Sequence, residues 1–112
     1  MKDKTIRELN IMEIFNYIQD CNLYCNNIIS KKIDITCANL ARKKVNNEYN
    51  NTLAVKSFVN VVILGIKEYC NKYCNNNFRW YDLANIAERE SIAAMLLKEN
   101  KDLIQSYYAI LS

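Results

Sequence analysis

Cysteine is the residue type in this chain whose spacing could do chemistry. Cys21 and Cys25 stand four positions apart, as do Cys70 and Cys74, in the closely matching strings Cys-Asn-Leu-Tyr-Cys-Asn-Asn and Cys-Asn-Lys-Tyr-Cys-Asn-Asn. Positions i and i+4 share one helical face. Four thiolates from two adjacent helices could therefore close a tetrahedral zinc site, with sulfur–zinc distances of about 2.3 Å, although zinc sites more commonly use Cys-x2-Cys knuckles. A redox sensor would need a depressed thiol pKa, and no Cys-x2-Cys and no histidine is present to supply one. The third reading is that the thiols are small apolar filler, because free cysteine is among the most buried residue types and all four fall on apolar helical seams. Buried filler is the expectation adopted, with no metal and no cofactor.

The twin Cys-x3-Cys spacing resembles that of the small Tim chaperones of mitochondria, in which two helices are stapled by disulfides. The resemblance covers the cysteine spacing alone. Here the interval from Cys25 to Cys70 holds a whole further helix and loop, so no pairing is carried over. The cysteine total is odd, with Cys37 the fifth, and the start Met-Lys-Asp-Lys-Thr lacks the apolar segment of a secretion signal. Both point to a cytoplasmic chain without a disulfide framework.

Other catalytic chemistries find few residues. With no histidine, the usual general base and the Ser-His-Asp and Cys-His constellations are gone, and one glycine cannot make a phosphate-cradling loop. The carboxylates Glu13, Asp20, Glu88, Glu90, Glu99 and Asp102 form no spaced pair, and Glu88-Arg89-Glu90 reads as a solvated helix face. No enzymatic activity is expected.

The elements that must carry these residues read as helices. Proline is absent and Gly65 is the single glycine, which disfavours turn-rich β architecture. Ile11, Ile14, Ile18, Cys21, Cys25 and Ile28 recur at alternating spacings of three and four and predict a first helix over 4–28. Ser30-Lys31-Lys32 reads as a polar connection, and Thr36 as the cap of a shorter helix through Leu40, Ala41 and Val45. The asparagine-rich run 46–51 reads as a loop. A third helix is expected from Thr52 to Cys74, with Val59, Ile63, Ile66, Cys70, Tyr73 and Cys74 on one face and Val61, Val62 and Leu64 widening it; its length favours helix over a buried strand. A fourth is expected over 80–98 with Leu83, Ile86, Ala87, Ala94 and Leu97 inward. A fifth, over 102–111, should bury Leu103, Ile104, Tyr107 and Leu111. Together these predict a single all-α domain, 1–112, built as a compact bundle of about five helices.

The cysteine strings recur at 49 positions, and a second echo pairs Ala38-Asn39-Leu40-Ala41 with Ala84-Asn85-Ile86-Ala87. Two diverged helical-pair units, about 6–47 and 55–98, are one reading of this repetition. The longest apolar run, 61–66, is six residues, far short of the roughly 20 that a membrane span needs.

Net charge is +3, with the basic excess at Lys31, Lys32, Arg42, Lys43 and Lys44. These five are the candidate contacts for a partner or for nucleic acid. An isoelectric point of 8.6 lies below the value of about 9 usual for a dedicated nucleic-acid binder. Two segments, 39–44 and 82–87, could lead a helix-turn-helix. The loop after the first is too long, and the second places acids where DNA phosphates would lie and is followed by the apolar stretch 92–97. Phe78, Arg79, Trp80 and Tyr81, with Tyr107 and Tyr108, are aromatic anchors for an interface or a small core. Seventeen asparagines among many lysines, isoleucines and tyrosines fit an AT-rich coding sequence of a low-GC bacterium, phage, plasmid or virus. The expected function is a small non-enzymatic binding protein, an accessory or inhibitor protein of a mobile element or virus. It would act on a protein partner and self-associate, with nucleic-acid regulation through the basic patch as the alternative.

Overall fold

A computed structural model of the protein describes residues 11–25, 27–73 and 83–112. These described residues form an all-α bundle of five helices: α1 Ile11–Tyr24, α2 Ile28–Val45, α3 Asn51–Tyr73, α4 Ile86–Glu99 and α5 Lys101–Leu111. Among the described residues there is no strand. The central α3 lies chiefly against α4, α2 lies chiefly against α5, and α1 closes over α2, α3 and α4. Ile14, Ile18, Ile29, Ile33, Leu40, Phe58, Val61, Val62, Ile66, Ile92 and Leu96 fill the shared core with little or no exposure.

Of the seam expected in the first helix, Ile14, Ile18 and Cys21 are buried, Ile11 is half-buried, and Cys25 and Ile28 are exposed; residues 4–10 lie outside the described residues. The helix ends at Tyr24 instead of running to 28, because Cys25 adopts left-handed backbone with φ 56° and Asn27 opens the next helix. The Asn27 side-chain oxygen accepts from the Ser30 amide at 2.9 Å, satisfying one of the donors a helix start leaves unpaired. Ser30-Lys31-Lys32, expected as a connection, is therefore helix. Thr36, expected as a cap, sits two turns inside α2 and donates its hydroxyl to the Lys32 carbonyl at 2.7 Å. The asparagine run 46–50 is a tight loop with Asn47 at φ 58°, a conformation asparagine tolerates. Asn50 then accepts from the Leu53 amide at 2.8 Å and starts α3.

Gly65 of α3 sits against Ile18 of α1. A Cβ at that position would stand 2.4 Å from Ile18 Cγ1, so hydrogen alone lets the two helices meet there. The buried face of α3 is centred on Phe58, Val61, Val62, Ile66 and Tyr69; Val59, Ile63 and Tyr73, expected inward, are half-buried.

Helix α4 starts six residues later than expected. Asn85 and Glu88 form a reciprocal capping box, each side chain accepting from the other's backbone amide at 2.8 and 3.0 Å. Glu88, read as a solvated charge, is thus a structural cap. Ile86, Ala87 and Ala94, expected inward, are exposed, and the buried positions are Ile92, Ala93, Leu96 and Leu97. Asn100 joins α4 directly to α5; it is buried, and its Nδ2 donates to the Leu96 carbonyl at 2.8 Å. On α5, Ile104 is buried and Leu103 and Tyr107 half-buried. Leu111, expected inside, is 45% exposed beside Arg42, Val45 and Asn46 at the end of α2.

The first cysteine string leaves α1 after Tyr24, whereas the described part of the second, 70–73, lies within α3; its remainder lies outside the described residues. Their second echo is placed differently: Leu40 and Ala41 are buried in the body of α2, whereas Ile86 and Ala87 form the exposed first turn of α4.

Candidate partner-binding groove

Starting α2 at Ile28 decides which side chains share its outer face. At about 100° per residue, Ile28, Lys31, Ile35 and Arg42 fall within about 60° of arc, opposite the inward Ile29, Ile33, Cys37 and Leu40. Ile28 is 56% exposed and Ile35 55%. Beside them α3 presents the half-buried Ile63 and Leu64. The two helices enclose an open groove of about 460 Å³, lined also by Lys31, Lys32, Asn60 and Lys67. Its floor is aliphatic and its rim cationic. Lys31 and Lys32 are exposed and have no ion pair among the described residues.

The five basic residues expected to act together are divided by the helix. Lys31 and Lys32 stand at the first turn of α2 and line the groove. Arg42, Lys43 and Lys44 occupy its last turn, about 15 Å further along. There each has an intramolecular role. The Arg42 guanidinium donates to Asn39 Oδ1 at 2.8 Å, and Lys43 Nζ stands 3.7 Å from the Glu48 carboxylate. Lys44 Nζ lies over the rings of Tyr49 and Tyr108, 5.2 and 5.6 Å from their centroids, a cation–π contact that ties the 46–50 loop to α5. Ile28, Ile35, Ile63, Leu64, Asn60 and Lys67 escaped the sequence reading as groove residues. Their signal is the spacing of seven between Ile28 and Ile35, visible once Asn27 is taken as a cap.

Cys21, Cys37 and Cys70 are buried, as filler should be. Cys25 is exposed, contrary to the expectation of four buried thiols, because the end of α1 takes it off the seam; its Sγ donates to the Asn22 carbonyl at 3.4 Å. Cys74 lies outside the described residues, as do Phe78, Arg79, Trp80 and Tyr81. Among the described residues no three metal-ligating side chains converge.

Near Cys21, Tyr17, Tyr69 and Tyr73 pack as a ring cluster with centroids 4.9 to 6.0 Å apart. Tyr69 donates its hydroxyl to Glu13 at 3.2 Å. Burial, followed by a hydrogen bond with Cys21, pushes the Tyr17 phenol above its ordinary value. Tyr107 donates its hydroxyl to Asp34, which likewise raises its pKa.

Cys37 is fully enclosed, and burial, with a smaller contribution from the Asp34 charge, pushes its thiol from 9.0 up to about 12. The thiol is neutral in the fold, whereas the unfolded chain releases that proton from about pH 9. The stabilisation is complete below pH 9 and lost as pH rises towards 12, at about 1.4 kcal/mol per pH unit. Urea midpoints should hold from pH 7 to 8.5 and fall steeply by pH 10.5. Cys37→Ala should make that fall shallower, and an unchanged slope would remove Cys37 as its source.

Comparison with protein-family models, with curated proteins and with solved structures finds no match to this chain.

Proposed function

We propose that this chain is a non-enzymatic binding protein that acts by docking a partner protein in the groove between α2 and α3. The observation that carries the reading is a groove lined by aliphatic side chains, the exposed Ile28 and Ile35 and the half-buried Ile63 and Leu64, beside a well-filled core. Contiguous exposed apolar surface on a small domain marks interaction sites. A nucleic-acid site would favour exposed aromatic platforms or a continuous cationic track. This groove is aliphatic, and the second basic cluster is engaged within the molecule. The asparagine-rich composition supports an accessory or inhibitor protein of a mobile element or virus working inside a cell. No described helix is long and apolar enough to cross a membrane. The exposed Ile86 and Ile110 offer further apolar contacts for self-association.

Ile35→Asp places a charge on the groove floor at a half-exposed site where the fold should lose little. Immobilised native chain should retain one or more proteins from its native cells, nuclease treatment should not release them, and Ile35→Asp should reduce recovery at least about tenfold. Recovery of DNA or RNA that Ile35→Asp leaves unchanged, but that joint Lys31→Glu and Lys32→Glu substitution abolishes, would replace this reading with the nucleic-acid one.

A further inference from the structure

We infer that the occupant of the α2–α3 groove is a short acidic amphipathic helix of the partner protein. The inference rests on the docking function just proposed and specifies the chemistry of what docks. From Ile28 to Ile35 the groove runs seven residues along α2, about 10 Å or two helical turns. Along α3, Asn60, Ile63, Leu64 and Lys67 repeat at helical spacing over the same reach. Two ridges with a channel between them accept a third helix by ridge-in-groove packing. A helix presents apolar side chains at i, i+3 or i+4, and i+7 to such a channel, which is a recurring mode of peptide recognition.

Charge sets the sign of the ligand. Lys31 and Lys32 are exposed at one rim and have no ion pair among the described residues, and Lys67 lines the other wall. A helix with glutamate or aspartate flanking its apolar stripe places carboxylates against these ammonium groups, while a basic helix meets repulsion. The same argument disfavours occupants from within the chain. Residues 1–10 carry Lys2, Lys4 and Arg7 against Asp3 and Glu8, and residues 74–82 carry Arg79 against Asp82, so neither segment brings net negative charge. A second copy carries net +3.

The test pans a phage-displayed library of helix-biased peptides, about four turns long and unconstrained in charge, against the folded chain, with Ile35→Asp as counter-selection. Peptides that prefer the native chain should be net negative with apolar residues at helical spacing. A recovered peptide, synthesised and fluorescently labelled, should bind about tenfold or more weakly to the Lys31→Glu, Lys32→Glu double variant, and its affinity should fall with added salt. Its amide shift changes should centre on residues 28–35 and 60–67. Neutral or basic peptides that still need Ile35 would overturn the acidic-helix inference while leaving the docking function intact. No peptide preferring the native chain over Ile35→Asp would sink both. A dimer in sedimentation velocity that Ile35→Asp dissociates would assign the groove to a second copy instead.

Discussion

Gly65→Ala should destabilise the protein, and the same change made beside Ile18→Ala should not. Alanine favours an exposed helix interior over glycine by about 1 kcal/mol. At position 65 the added carbon would stand 2.4 and 2.5 Å from Ile18 Cγ1 and Cδ1, distances real Cβ atoms do not show. Ile18 is fully buried, so its side chain has no open space to move into. Overpacking of this kind costs about 1 to 3 kcal/mol, which equals or exceeds the propensity gain. Ile18→Ala alone should cost about 2 to 5 kcal/mol through lost burial and a residual cavity. It also removes the two clashing atoms, leaving only the Cβ, 3.9 Å away. In that background the alanine at 65 partly fills the space it formerly invaded, and its effect should change sign. Chemical denaturation of the four proteins in the cycle gives the coupling directly; additive single effects would mean that α1 and α3 do not meet at Gly65.

Phe58→Ala should carry the largest single cost, about 3 to 5 kcal/mol. Among the described residues Phe58 is the bulkiest of the fully buried side chains, and it sits on the inner face of α3, which packs against α1, α2 and α4. Truncation removes its apolar contacts and leaves a void in a close-packed interior. Because a domain of this size is marginally stable, the variant should show a cooperative melt many degrees lower or none at all. Phe58→Leu keeps most of the volume and should lose far less. Equal losses for the two variants would show that ring volume is not what this position supplies.

The sequence made some of this architecture plain and hid the rest for identifiable reasons. Helix α3 was legible because its apolar residues continue past any strand length, and α1 because Ile14, Ile18 and Cys21 keep an unbroken seam. The start of α2 was hidden by Ser30-Lys31-Lys32, three polar residues that resemble a connection unless Asn27 is recognised as the cap. The start of α4 had a readable signal, Asn85 followed three residues later by Glu88, but aromatic residues upstream drew the expected boundary earlier. That misplacement carried Ile86 and Ala87 inward. The groove was the least legible part. Ile28 was assigned to the wrong helix, and apolar pattern alone does not say which of two stripes on α2 faces the core. Only the placement of α3 and α5 decides it. The basic residues were visible as a group, yet their division into a free pair and an engaged trio depends on Asn39, Glu48, Tyr49 and Tyr108 coming into reach.

Asn100 has a bearing on how the chain can vary in length. It terminates α4 and begins α5 with nothing between them, and its amide is locked to the turn behind it. One extra residue there would spin everything downstream by about 100°, withdrawing Ile104 from the interior and parting Tyr107 from Asp34. The junction is a rigid elbow of fixed length.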